Sequence, residues 1–339
     1  MNPFETASHQ EPDLLRRQIK DLGLRIEGSP LEKYVRQLYK ELERKGLKHF
    51  KPRCYLTDEW GCPDQEPVIG IPFYLADPKL AALEKSMNDL EDEREIMMYL
   101  RHEAGHAFNY AYELFKREDW KTLFGPFRRP YRDRYRPIPF SRRFVRHMAG
   151  WYAQKHPDED FAETFAVWLT PRVNWRRKYK GWGALHKLRY VDRIARLYGD
   201  AEPVRPMGET DVTVDEMEVT LEDFYRQTTP DESQAIADLA LDTDLADIFL
   251  KPTSRKKKGI RPAADLLGER RKEIVDKVTY WTGVRRPLVK QLVECIESRV
   301  RALSLAVLSD REASSVVEIT AYTTTLAMNY LTRGRFTTP

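Results

Sequence analysis

The chain has 339 residues, 41% of them hydrophobic and 32% charged, the make-up of a globular protein with length for about two domains. Its net charge of +4 hides a segregation: residues 201–250 carry 14 acidic and 2 basic side chains, residues 251–339 carry 18 basic and 9 acidic. Collagen, coiled-coil and disordered classes are excluded, no apolar run nears the ~20 residues of a membrane span, and Met1 to Gln10 has no signal-peptide pattern.

Charge and composition divide the chain into 1–200, an acidic segment with a basic linker over 201–258, and a last part over 259–339. In the first part, Glu11 to Leu22 predicts a helix and Gly23 to Glu27 a strand. Ser29-Pro30-Leu31 opens a helix to Gly46, with serine as cap and proline in the first turn. Arg53 to Thr57 and Val68 to Leu75 read as strands; Pro72 cannot donate to a ladder and places the second at a sheet edge, with free backbone groups for a guest peptide. Helices follow over Pro78 to Asn88 and Glu91 to Arg117. Trp120 to Arg143, rich in proline, arginine and aromatics, reads as a loop or lid, and Arg143 to Gln154 as a helix. Pro157 with Asp158, Glu159 and Asp160 marks the start of a helix that ends before Pro171. Short helices are expected near Glu222 to Arg226 and Ser233 to Phe249, Lys251 to Lys258 is a linker, and stripes at Leu288, Leu292, Ile296 and at Ile319, Tyr322, Leu326, Tyr330 predict a C-terminal helical bundle.

The long helix carries His102-Glu103-Ala104-Gly105-His106. Histidines four apart share one helical face, so both imidazoles can reach one Zn2+ ion while Glu103 meets the activated water as general base. Gly105 inside a helix costs about 1 kcal/mol relative to alanine and implies a close approach of backbone. Zinc needs a third protein ligand. Glu163 is favoured, because Phe161, Phe165 and Leu169 fix one face of its helix in the core and leave it as a lone carboxylate in an apolar run. Asp160 is read as a partner of a ligand histidine, or as the ligand itself, and His147 and His156 are the competing histidines.

These two segments, His102 to His106 and Asp158 to Phe165, resemble gluzincin metallopeptidases of the lethal-factor and Pro-Pro-endopeptidase type, in which a phenylalanine-alanine-glutamate helix gives the third ligand. Residues 50 to 200 also resemble bacterial zinc-binding metallopeptidases. The resemblance implies an α+β, zincin-like catalytic domain with a small mixed sheet and a substrate cleft under the edge strand, followed here by a mostly α-helical C-terminal domain. It also implies a tyrosine upstream of the glutamate ligand that holds the oxyanion; Tyr152 is the nearest match, with His156 closer to the helix, and neither has the lethal-factor spacing.

Between the zinc-binding segments, Lys116, Arg117, Lys121, Arg128, Arg129, Arg132, Arg134, Arg136, Arg142, Arg143 and Arg146 interleave with aromatics. This rim suits acidic peptides or nucleic acid, and a second basic cluster from Arg172 to Arg189 extends it. The acidic segment is a candidate latch over that rim or a tether for the C-terminal bundle, and Cys62 a candidate inhibitory thiolate or a core cysteine. The three cysteines, too few for a disulfide framework, suit a cytoplasmic protein. The sequence thus reads as a zinc peptidase acting on a peptide or protein substrate, with two alternatives: a nucleic-acid- or protein-binding module with a structural or latent zinc site, and a zinc amidase or carboxypeptidase acting on a small anionic substrate.

Overall fold

The computed structural model describes residues 12–87, 90–132, 135, 137–228, 236, 239–251 and 259–336. Contacts divide the chain into two units, Met1–Thr229 and Pro230–Pro339, each a mixture of helices and a two-stranded sheet. No helix among the described residues is long and apolar enough to cross a membrane.

The first unit is organised by helices α1 (Glu32–Arg44), α2 (Pro78–Met87), α3 (Glu93–Ala111), α4 (Glu118–Phe124), α5 (Pro157–Leu169), α6 (Ala184–Tyr198) and α7 (Leu221–Thr228), with strands β1 (Arg53–Thr57) and β2 (Val68–Pro72). Asp92 caps α3 by accepting from the Arg94 and Glu95 amides, and Glu95 returns the bond to the Asp92 amide. Arg101 ties α3 to α1 through a bidentate pair with buried Glu41 at 2.7 and 2.9 Å. The closest packing is between α3 and α5. A Cβ on Gly105 would lie 2.7 Å from Ala162 Cα and 2.9 Å from Ala162 O, so glycine is required for the helices to come this near, and Phe108 stacks on Phe165 beside the crossing at 5.1 Å.

Strands β1 and β2 pair in parallel, Arg53 opposite Val68 and Thr57 opposite Pro72. The far edge of β2 is not open to a guest peptide as the sequence suggests. The loop after β1 folds back on it: the Val68 amide donates to Glu66 O, and Gly61 and Gly70 exchange both backbone bonds. Pro72 has no amide to offer, so the amides on this edge are consumed by the chain's own loop.

Other sequence expectations change for stated reasons. The N-terminal helix is reduced to Pro12–Leu15 and a 3-10 turn over Ile19–Leu22, because Ile19 and Lys20 give their amides to Val219 and Met217; Gly23, left-handed, ends that turn and no strand follows. Helix α4 occupies part of the expected loop. The region Arg143 to Gln154 is a 3-10 turn over Ala149–Gln154, interrupted by left-handed Gly150 and Trp151.

The acidic stretch is split between the units. Residues 201–228 belong to the first, where Val214, Met217, Leu221, Phe224 and Tyr225 join its core and Lys20 and Arg25 pair with Glu218 and Asp215. The unit therefore extends to 229, beyond the boundary at 200 that charge alone suggests.

The second unit holds α8 (Asp242–Ile248), α9 (Ala263–Thr282), α10 (Arg286–Ala302) and α11 (Glu312–Arg333), with β3 (Ile260–Pro262) antiparallel to β4 (Ala306–Leu308). Leu288, Leu292 and Ile296 of α10 and Ile319 and Leu326 of α11 are buried in its core, with Tyr322 and Tyr330 packed at the margin. The expected Ser233 to Phe249 helix is described from Asp242 to Ile248; its start, and most of the linker Lys251 to Lys258, lie outside the described residues, as do Arg134 and Arg136 of the basic run.

Two outcomes follow. Truncation after Asp200 removes five core side chains of the first unit, each worth about 1.5–3 kcal/mol when fully buried, together of the order of a domain's whole stability; circular dichroism of the truncated protein should show loss of a cooperative transition rather than an activated enzyme. Gly105→Ala should cost about 1–3 kcal/mol by overpacking, seen as a melting temperature lower by several degrees with secondary structure retained.

Candidate metal centre

His102 and His106 project from α3 toward the first turn of α5, and all three side chains that meet there are buried. His102 Nε2 and His106 Nε2 lie 3.1 Å apart, and Glu159 Oε2 sits 3.0 Å from the first and 3.2 Å from the second. Donor atoms sharing a tetrahedral zinc at 2.0–2.1 Å lie roughly 3.3 Å from one another, so the spacing and the chemistry of this donor set fit that ion. His102, His106 and Glu159 form the group of described residues able to hold a metal.

The opposite side of each ring is held by a second carboxylate. His102 Nδ1 donates to Glu163 Oε1 at 3.0 Å and His106 Nδ1 to Asp158 Oδ2 at 2.7 Å. Bonds at Nδ1 leave the Nε2 lone pairs directed at the shared point, the arrangement by which outer carboxylates orient metal-binding imidazoles. Glu163 is fixed in turn by the Met148 amide at 3.0 Å and the His147 amide at 3.3 Å. Asn109 and Tyr110 donate to Asp158 at 2.7 and 2.5 Å, and the Tyr131 hydroxyl donates to Glu159 Oε1 at 2.6 Å.

Helix α5 places these groups by its own start. His156 is its N-cap, with Nδ1 accepting from the Asp158 amide at 3.2 Å, and Pro157 occupies the first turn. Three successive carboxylates then stand at the positive end of the helix dipole. Asp158 turns to His106, Glu159 to both histidines, and Asp160 away to Lys187 of α6. Glu163, one turn on, lies behind His102.

The electrostatics are those of a tightly coupled cluster. Burial would lower the His102 pKa, but bonds from Glu159 and Glu163 and the charge of Glu103 raise it to about 9. His106 is raised likewise by Asp158 and Glu159 against burial. Burial works to raise the Glu159 pKa, yet the two histidines hold it well below the usual carboxylate range. Burial raises the Glu103 pKa, with His102 and His106 opposing. Burial likewise lifts Asp160 to about 7 against the pull of Lys187.

The structure redistributes the expected roles. The carboxylate at the shared point is Glu159; Glu163 is on the rear face of His102, because four residues of helix carry it one turn past the Nε2 atoms. Asp160 touches neither histidine and joins α5 to α6 instead. His156 Nε2 donates to Arg129 O at 2.7 Å and its Nδ1 accepts from the Asp158 amide, so that ring has no nitrogen left for a metal; His147 Nε2 donates to Met98 O at 3.0 Å, and His147 is not in the group of described residues able to hold a metal. Tyr152 does reach the site: its ring packs edge-on against His102 with centroids 5.6 Å apart, and its hydroxyl is 3.4 Å from that of Tyr131. Glu103 lines the same cleft of about 1350 Å3. Cys62 also lines it, but its thiol donates to Glu66 O at 3.1 Å and burial pushes its pKa up, which opposes a thiolate. The sequence reading took Glu159 and Asp158 only as carboxylates of the first helical turn and gave Tyr131 no place at the metal. The available signal was the four-residue interval from Glu159 to Glu163, which places two carboxylates on one face to straddle a ring.

Zinc affinity provides the test of these places. Glu159→Gln should abolish stoichiometric zinc retention, whereas Glu163→Gln should weaken affinity about 10–100-fold without abolishing it, both measured by competition with a chromophoric chelator.

No curated protein and no solved structure shows a match to this chain. The segment bearing every one of these donors, residues 65–174, matches the family described as "Putative zinc-binding metallo-peptidase".

Proposed function

We propose that the first unit is a zinc-dependent hydrolase of peptide bonds, of gluzincin type, with His102, His106 and Glu159 as the metal ligands. The observation that carries this reading is the convergence of both Nε2 atoms and Glu159 Oε2 within 3.0–3.2 Å, in a cleft that Glu103 also lines. Bound there, zinc lowers the pKa of a water to about 7 and polarises a carbonyl oxygen.

Glu103 acts as general base. Its carboxylate has no hydrogen-bond partner among the described residues, burial raises its pKa, and it borders the cleft where a water can be met. It takes the proton of the attacking water and delivers it to the leaving amine. Tyr152 and Tyr131 border the same opening. Burial, then the charge of Glu159, raises both hydroxyl pKa values, so both remain donors; Tyr152, whose hydroxyl binds no carboxylate, is the one to meet the developing oxyanion. His156 is a positioning residue that holds the start of α5.

A carboxylate buried beside the histidines without a hydrogen-bond partner costs stability, and such groups cluster at functional sites, which favours the hydrolase over the binding module. Glu103→Gln should reduce hydrolysis of a mixed peptide pool at least 1000-fold while the protein keeps one zinc per chain, read by mass spectrometry and metal analysis. Equal cleavage by both proteins would overturn the assignment.

A further inference from the structure

The metal cleft is lined by five basic side chains outside the histidines: Lys116, Lys121, Arg128, Arg129 and Lys155. Two are already neutralised, Lys116 by Glu113 at 2.6 Å and Lys121 by Glu118 at 2.7 Å. Arg128, Arg129 and Lys155 have no ion pair among the described residues. Of the second basic cluster expected from the sequence, Arg176 pairs with Asp192 and Lys187 is buried on Asp160, and the residues that line the metal cleft include none of its members.

Lys155 is the best placed of the three. Its ammonium lies 4.3 Å from the ring centre of Tyr131 and 5.2 Å from that of Tyr152. Those rings are themselves in contact with the metal donors: Tyr131 through its bond to Glu159, Tyr152 through its edge against His102. A cation held on aromatic faces is positioned without being neutralised. Glu59 and Asp64 line the same cleft; Glu59 interacts with Lys155 through space, with no ion-pair contact between them.

We propose that Lys155, backed by Arg128 and Arg129, forms a subsite for a substrate carboxylate next to the scissile bond. This rests on the peptidase reading above and makes its substrate class acidic peptides. The carboxylate can come from an Asp or Glu side chain or from a peptide C-terminus; either would accept from the ammonium on the face the tyrosines leave open. Because Lys155 stands one layer of side chains from the metal donors, it reads the residue adjacent to the cleaved bond, while Arg128 and Arg129 extend the field along the chain.

The test is binding first, hydrolysis second, with the full-length zinc-loaded chain. Random dodecapeptide pools carry Glu, Gln or Lys at one fixed position, and a parallel set ends in a free acid or an amide. Affinities are measured by competition anisotropy on the Glu103→Gln protein, which holds substrate without turning it over. The expected result is a preference of about tenfold for Glu over Gln, or for acid over amide, the ratio one charge-assisted contact supplies. The first identifies a side-chain carboxylate and the second a terminal one. Adding Lys155→Met should erase the preference, and adding Lys155→Glu should invert it toward pools with Lys at that position. Zinc content is measured on each variant. Ratios within twofold of unity, or ratios unmoved by both Lys155 variants at full zinc occupancy, would overturn the subsite. Wild-type protein that cleaves no pool, while Glu103→Gln still discriminates through Lys155, would instead sink the peptidase reading and leave the carboxylate site standing.

Discussion

The approach of Gly105 to Ala162 is the constraint on which the site depends. Every donor is carried by α3 or the first two turns of α5, and side chains as short as His and Glu can converge on one point only if the two backbones nearly touch. Large aromatic side chains around the crossing, Phe108, Phe161 and Phe165, are fully buried and leave the helices little freedom to part. A rigid, dry crossing is also what a preorganised metal site needs, because ligands that must be gathered from flexible elements lose affinity to ordering.

Burying this much charge is costly unless it is paired, and the pairing scheme explains why the neighbourhood is built as it is. Asp158, Glu159 and Glu163 face two histidines, with surplus negative charge met by backbone amides at His147 and Met148 and by hydroxyl and amide donors of Tyr110, Tyr131 and Asn109. The left-handed Gly150 and Trp151 break a helix that would otherwise run up to α5. In its place the backbone before them turns its amides toward Glu163. A stretch that looked like amphipathic helix is therefore spent on holding a carboxylate.

The loop after β1 alters the cleft in a further way. By pairing Gly61 with Gly70 it seals the strand edge that the zincin resemblance offers to a peptide, and it puts Trp60, Gly61 and Cys62 on the wall of the cleft. Other parts of the cleft wall are side chains, among them Tyr131, Tyr152, Lys155, Arg128 and Arg129.

How much of this was legible beforehand can be judged residue by residue. The sequence alone determined the helix with His102, Glu103 and His106, because helical periodicity fixes which residues share a face. It determined the start of the partner helix, because proline and successive carboxylates satisfy a helix N-terminus, and it marked Gly105 as a point of close packing. Tertiary structure alone decided that Glu159 rather than Glu163 meets both Nε2 atoms, since that depends on the rotation of α5 about its axis against α3, which no local pattern encodes. It likewise decided that Asp160 serves Lys187, that β2 has no open edge, and that residues 201–228 complete the first unit instead of lying over its cleft. Each of these is a pairing between segments far apart in the chain, and a charge or an apolar side chain shows only that a partner is needed; the fold selects which one comes within reach.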